Sequence, residues 1–83
     1  MKVLGGKSDE QIAVIAKAGD RAAFEELVRR HKMPIYRFVR RYIGQSDDAY
    51  DVLQECFVAA WSGLARFYAS RSFLPWLRVI ALN

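Results

Sequence analysis

One cysteine, one histidine and two prolines are all that this chain of 83 residues holds of three types that staple, ligate or break a fold. Cys56 alone makes no internal disulfide. With His31 it falls short of the four ligands of a structural zinc site. A chain without a disulfide framework suits a reducing compartment, so the expected location is cytoplasmic. No apolar run approaches the roughly 18 residues of a membrane span. The opening Met1-Lys2-Val3-Leu4-Gly5-Gly6 lacks the apolar stretch of a secretory signal. Gly5-Gly6 precedes a polar segment and makes no phosphate-binding loop. Asp47, Asp48, Asp51 and Glu55 lack the alternating carboxylates of a calcium loop. No metal and no cofactor are therefore expected. No nucleophile or acid motif accompanies His31, whose spacing from Leu27, Val28 and Ile35 gives it a packing or surface role. An enzyme is the least supported class.

What is present is apolar: 53% of residues, with 13% aromatic. That fills one compact core, excludes disorder and makes one domain. A chain this short buries only roughly two-thirds of its unfolded surface, so its stability is modest. Thirteen Lys and Arg against nine Asp and Glu give +4, with a pI near 9.6. That balance suits a polyanion without proving one. The charges are sorted. Leu27 to Ile43 carries six basic residues and no acid, and Asp47 to Glu55 carries four acids and no base. Cys56 to Asn83 carries three arginines and no acid. Such sorting suits two kinds of partner better than one.

The periodicity predicts helices and no strand. Ser8-Asp9-Glu10-Gln11 reads as a capping box, followed by Ile12, Ile15 and Ala16, with a stop at Gly19. Asp20 caps a long amphipathic helix through Phe24, Leu27, Val28, His31, Ile35, Phe38, Val39 and Tyr42, which ends at Gly44. Pro34 lies inside it and is expected to kink or divide it. Gln45-Ser46-Asp47 forms a turn, and a third helix runs from about Asp47 to Leu64. Arg66 to Arg71 has no period and reads as a loop. Ser72 caps a fourth helix, with Pro75 in its tolerated first turn. Cys56 sits in an apolar stripe as a small buried hydrophobe. The fold class is thus all-α: a compact bundle of three main helices plus a short N-terminal one. Residues 1–8 are expected to be a flexible lead-in. The last helix meets no stop signal before Asn83, so residues 9–83 read as a fragment of a longer chain.

Two segments hold the functional interest. Asp51 and Glu55 share a helix face with Gln54 beside it; this face is either solvated or a dock for a basic partner helix. Arg66-Phe67-Tyr68-Ala69-Ser70-Arg71-Ser72 mixes rings, guanidinium groups and hydroxyls, as single-stranded nucleic-acid sites do. Equally, Phe67 and Tyr68 can be core anchors among solvated arginines. Arg78 and Asn83 follow on the next helix, and Asn can tell bases apart. Trp61 and Trp76 sit at helical spacing and are expected to pack in the core.

The ordered set Asp47-Asp48-Ala49-Tyr50-Asp51-Val52-Leu53-Gln54-Glu55-Cys56-Phe57, Trp61, Phe67, Phe73-Leu74-Pro75-Trp76-Leu77 and Ile80-Ala81-Leu82-Asn83 resembles the second conserved region of bacterial sigma-70 factors. The extracytoplasmic-function (ECF) group is most similar. Ala22-Ala23-Phe24-Glu25-Glu26-Leu27 and Ile35-Tyr36-Arg37-Phe38 resemble the start of the same region. The resemblance implies a domain that binds core RNA polymerase and melts the promoter minus-ten element by capturing the non-template strand. It places Asp51, Gln54 and Glu55 on the beta-prime clamp helices, with Phe57 and Trp61 as apolar neighbours. It assigns Arg66, Phe67, Tyr68, Ser70, Arg71, Ser72, Arg78 and Asn83 to the single strand. An anti-sigma factor is a further implied partner. The family's domain for the minus-thirty-five element is not expected in this chain. Val79 stands where the family often has Arg, and Leu82 where it is often basic. One alternative is a sigma-like module that binds a regulator such as an anti-sigma factor and no DNA. A duplex-reading helix-turn-helix repressor is another.

Overall fold

Ser8 and Gln11 cap each other across the first turn of α1, Asp9–Lys17. The Gln11 N–H donates to Ser8 Oγ at 3.1 Å, and the Ser8 N–H to Gln11 Oε1 at 2.8 Å. Gly19 then turns the chain at φ +108°, a conformation that side chains rarely adopt. Asp20 accepts the Ala23 N–H at 3.1 Å and opens α2, Arg21–Ile43. Next come α3, Asp48–Gly63, a 3-10 turn over Leu64–Arg66, and α4, Phe73–Leu82. The computed structural model describes residues 4–44 and 48–82. The turn expected at Gln45-Ser46-Asp47 and the contact expected of Asn83 lie outside the described residues. Within them there is no strand, as the periodicity predicted.

Helix α2 is the central post. Ala23, Leu27, His31, Ile35 and Val39 are its buried residues, one every four positions. That row faces α1, α3 and α4. Pro34 does not divide the helix: α2 runs unbroken through it. An interior proline costs about 3 kcal/mol through its missing donor and ring clash. Burial of Leu27 and Ile35 on either side, at about 2 kcal/mol each, offsets it. Pro34 itself faces solvent.

Helices α1 and α3 each pack on α2, α4 and the 3-10 turn, but among the described residues they do not touch each other. The far end of the bundle is closed by rings. Phe67 and Phe73 are both 1% exposed, and Phe67 meets Phe73 and Trp76 edge-on at 5.7 and 5.2 Å between centroids. Trp76 is half-buried there, in the packing role expected of it. His31 is also buried, 5.5 Å from the Phe73 ring, with Nε2 2.9 Å from Asp9 Oδ2.

Of the lead-in 1–8, the described residues 4–8 carry hydrogen bonds to one another and to α2. The Lys7 N–H donates to the Leu4 carbonyl at 3.0 Å, and Arg30 reaches over from α2. Its guanidinium donates to the Leu4 carbonyl at 2.8 Å, the Lys7 carbonyl at 2.9 Å and Glu26 Oε2 at 2.7 Å. Hydrogen bonds from Arg29 and Arg30 lower the Glu26 carboxyl from its ordinary 4.5 to about 2.

Phe67→Ala is expected to cost about 3–5 kcal/mol, a large part of the stability of so small a domain, in urea unfolding. Glu26 gives a second expectation. Its folded pKa is depressed, so its contribution is fully present above the unfolded value near 4.5 and is lost as pH falls toward 2. Melting temperatures between those limits should therefore fall less steeply in Glu26→Gln than in the parent chain.

Candidate functional site

Helix α3 presents one polar and apolar ridge to solvent. Asp51, Gln54 and Glu55 are all exposed. Val58 and Trp61, 69% and 39% exposed, continue the row. Positions 51, 54, 58 and 61 fall on one helix face. A groove of about 660 Å³ between α2 and α3 runs along it, walled by Phe24, Val28, Gln54, Phe57, Val58 and Trp61. Trp61 was expected in the core. It lies instead at the groove edge, its ring 5.0 Å from Phe24 in an edge-to-face contact. Phe57 is only 7% exposed and forms part of the wall.

Glu55 looks elsewhere. It borders a second groove, of about 720 Å³, shared with Tyr42, Ile43, Val52, Ile80 and Leu82. The three residues of the Asp-x-x-Gln-Glu set thus straddle a ridge with a groove on each side. Cys56 lies under that second groove, 3% exposed, with Sγ 3.9 Å from the Leu77 carbonyl. Burial pushes its thiol from 9.0 up to about 11.

The segment after α3 is the other candidate surface. Arg66 is exposed at the end of the 3-10 turn. Phe67, open between core anchor and strand contact from the residues and assigned to the strand by the resemblance, is in the core, because Phe73, Trp76 and the surrounding helices enclose its ring. Its neighbour Tyr68 projects, 62% exposed, as do Ser70, Arg71 and Ser72. The Arg71 N–H donates to the Tyr68 carbonyl at 2.9 Å and closes a turn. Arg78 is exposed on α4, its guanidinium 5.5 Å from the Phe38 ring, so the side chain leans onto α2. Val79 and Leu82 are exposed apolar residues on α4. Among the described residues, no cluster of three His, Cys, Asp or Glu side chains is placed to hold a metal ion, and no helix is long and apolar enough to cross a membrane.

Residues 27–83 match the family described as Sigma-70 region 2. The chain belongs to the sigma-70 region 2 family. Within it the ECF group fits: the ECF RNA polymerase sigma-E factor of Escherichia coli K12 is 36% identical over 76 residues, which are 92% of this chain and 39% of that protein. Two solved structures superpose with a TM-score of 0.85. One is an engineered region 2 of sigmaE in complex with GTAAAA, 36% identical, with 93% of this chain and 80% of that one covered. The other is CnrH in complex with the cytosolic domain of CnrY, 38% identical, covering 93% of this chain and 50% of that one. The chain spans about two-fifths of the length of the curated relatives it matches. The family match begins at Leu27, after α1, whereas the likeness to the sigma-E factor and to both solved structures takes in α1 as well.

Against this region 2 pattern, sequence reasoning missed Val58 and Phe24 in the groove. Val58 was legible in principle, four residues past Gln54. Phe24 was not, since its partner Trp61 is far away in the chain. A thiol reagent at pH 8 should leave Cys56 of the native region 2 domain unmodified, because roughly one thiol in a thousand is ionised. The thiol should react fully once urea unfolds the chain.

Proposed function

We propose that this chain is the polymerase-binding, promoter-melting domain of an ECF sigma factor, with residues 9–83 as its working unit. It captures the non-template strand of the minus-ten element from the cytoplasmic pool of DNA. The observation that carries the reading is the exposure of two sets of residues of opposite character. One is the α3 ridge of Asp51, Gln54 and Glu55. The other is the projecting loop of Tyr68, Ser70, Arg71 and Ser72. The likeness to a sigmaE region 2 that binds GTAAAA supports the assignment of the second surface.

Each surface suits its task. Carboxylates on the ridge repel phosphates and attract a basic protein helix, while Trp61 and Val58 offer apolar contact beside them. Stacking on Tyr68 returns part of the few kcal/mol needed to unstack a base. Arg66, Arg71 and Arg78 add salt-dependent attraction to phosphates. Phe67 serves this surface from below and makes no strand contact. The role asks no covalent chemistry of the chain.

A second reading is a module that binds only a regulator such as an anti-sigma factor. Two grooves with largely apolar walls favour it, the first also bordered by Arg21, Glu25 and Lys32, as does the relative CnrH, solved in complex with the cytosolic domain of CnrY. Fluorescence titration with single-stranded GTAAAA, a scrambled strand and a duplex, at two salt concentrations, separates the readings. Preference for the first strand supports promoter capture; equal weak binding to all three favours the regulator module. Tyr68→Ala should weaken strand binding by about 1–3 kcal/mol. Gln54→Ala and Glu55→Ala should each weaken core polymerase binding by on the order of 1–2 kcal/mol in a competition assay and leave strand binding unchanged.

A further inference from the structure

The loop between Phe67 and Phe73 is held at both ends by one helix, α1. Lys17, the last residue of α1, donates from Nζ to the Phe67 carbonyl at 2.8 Å. The same ammonium stands 5.1 Å from the centre of the Tyr68 ring, a cation–π distance. At the far end, Glu10 Oε2 accepts the Phe73 N–H at 2.7 Å. Phe73 is the first residue of α4, so this carboxylate does from another helix what a capping side chain does locally. It also sets a negative charge at the positive end of the α4 dipole. Glu10 and Lys17 are seven residues apart, two turns on one face of α1, or about 10 Å. The two grips match the two mouths of the loop.

We propose that Lys17 and Glu10 are positioning residues for strand capture: α1 is a clamp that fixes the width of the Phe67–Phe73 loop and the attitude of the Tyr68 ring. This rests on the reading of that loop as the strand-binding surface. Tyr68 is 62% exposed, and the Lys17 ammonium stands against its ring. A ring free to rotate would have to be ordered at each binding event, at an entropic cost to affinity. With Lys17 against it, the ring is set before the base arrives. Lys17 is engaged with the Phe67 carbonyl and the ring, so it acts on the strand through Tyr68 and not through a phosphate.

The test compares the parent chain with Lys17→Met, Lys17→Arg, Glu10→Ala and Glu10→Gln in the same titration, at a temperature where thermal melts show all five folded. Lys17→Met and Glu10→Ala should each lower affinity for GTAAAA by about ten-fold, the scale of one charge-assisted hydrogen bond. Affinity for the scrambled strand should barely change. Lys17→Arg and Glu10→Gln should recover most of the loss. The slope of log affinity against log salt should stay as in the parent. A fall in that slope by about 0.7, with equal losses for both strands, makes Lys17 a phosphate contact and overturns the proposal. So does parental affinity in both truncated variants. If the parent chain does not discriminate between the strands, the strand-capture reading itself fails. The clamp is then decided by amide hydrogen exchange. Faster exchange at Phe73 in Glu10→Ala and at Arg71 in Lys17→Met supports it, and unchanged exchange removes it.

Discussion

Three rings hold the loop end of this domain together. Phe67 and Phe73 are both buried, and Trp76 lies against each of them. Only residues 68–72 connect the two phenylalanines. A segment that short, with both ends fixed in one cluster, has no room to fold inward. It must project, and Tyr68, Ser70, Arg71 and Ser72 project with it. The exposed chemistry of the loop is therefore a consequence of burial at its ends. The same cluster takes in His31 from α2 and joins the loop to the central post.

That post carries the helices on which both proposed contacts depend. Helices α1 and α3 both lean on α2 and do not touch each other within the described residues. Charge sorting along the chain tells the two contacts apart, since acids cluster on α3 while arginines occupy α2, the loop and α4. A nucleic-acid strand and a basic protein helix are thereby drawn to different places.

Much of the fold was legible because its signals are local. The capping pair of Ser8 and Gln11, the stop at Gly19 and the four-residue rhythm of α2 act within a few residues of one another. Pro34 misled on the continuity of α2, because tertiary burial on both sides outweighed a local penalty. The residues left Phe67 open between core and strand, and the helical spacing pointed Trp61 inward where it borders a groove. A ring in an aperiodic segment carries no sign of which way it points, and neither does a ring on an amphipathic helix with a groove beside it. Residues 4–8 are tied down by Arg30, from 23 positions or more along the chain, which no local pattern announces.

The amino-acid order by itself determined the helices, the sorted charges and the family, because periodicity, caps and motif spacing are properties of neighbours along the chain. Tertiary structure alone decided which aromatics serve as core and which as surface. It also split Gln54 and Glu55 between two grooves, and it brought Glu10 and Lys17 onto a loop fifty or more residues away. Those outcomes depend on which surfaces remain after the helices have buried their apolar faces against each other. That remainder exists only in the packed bundle.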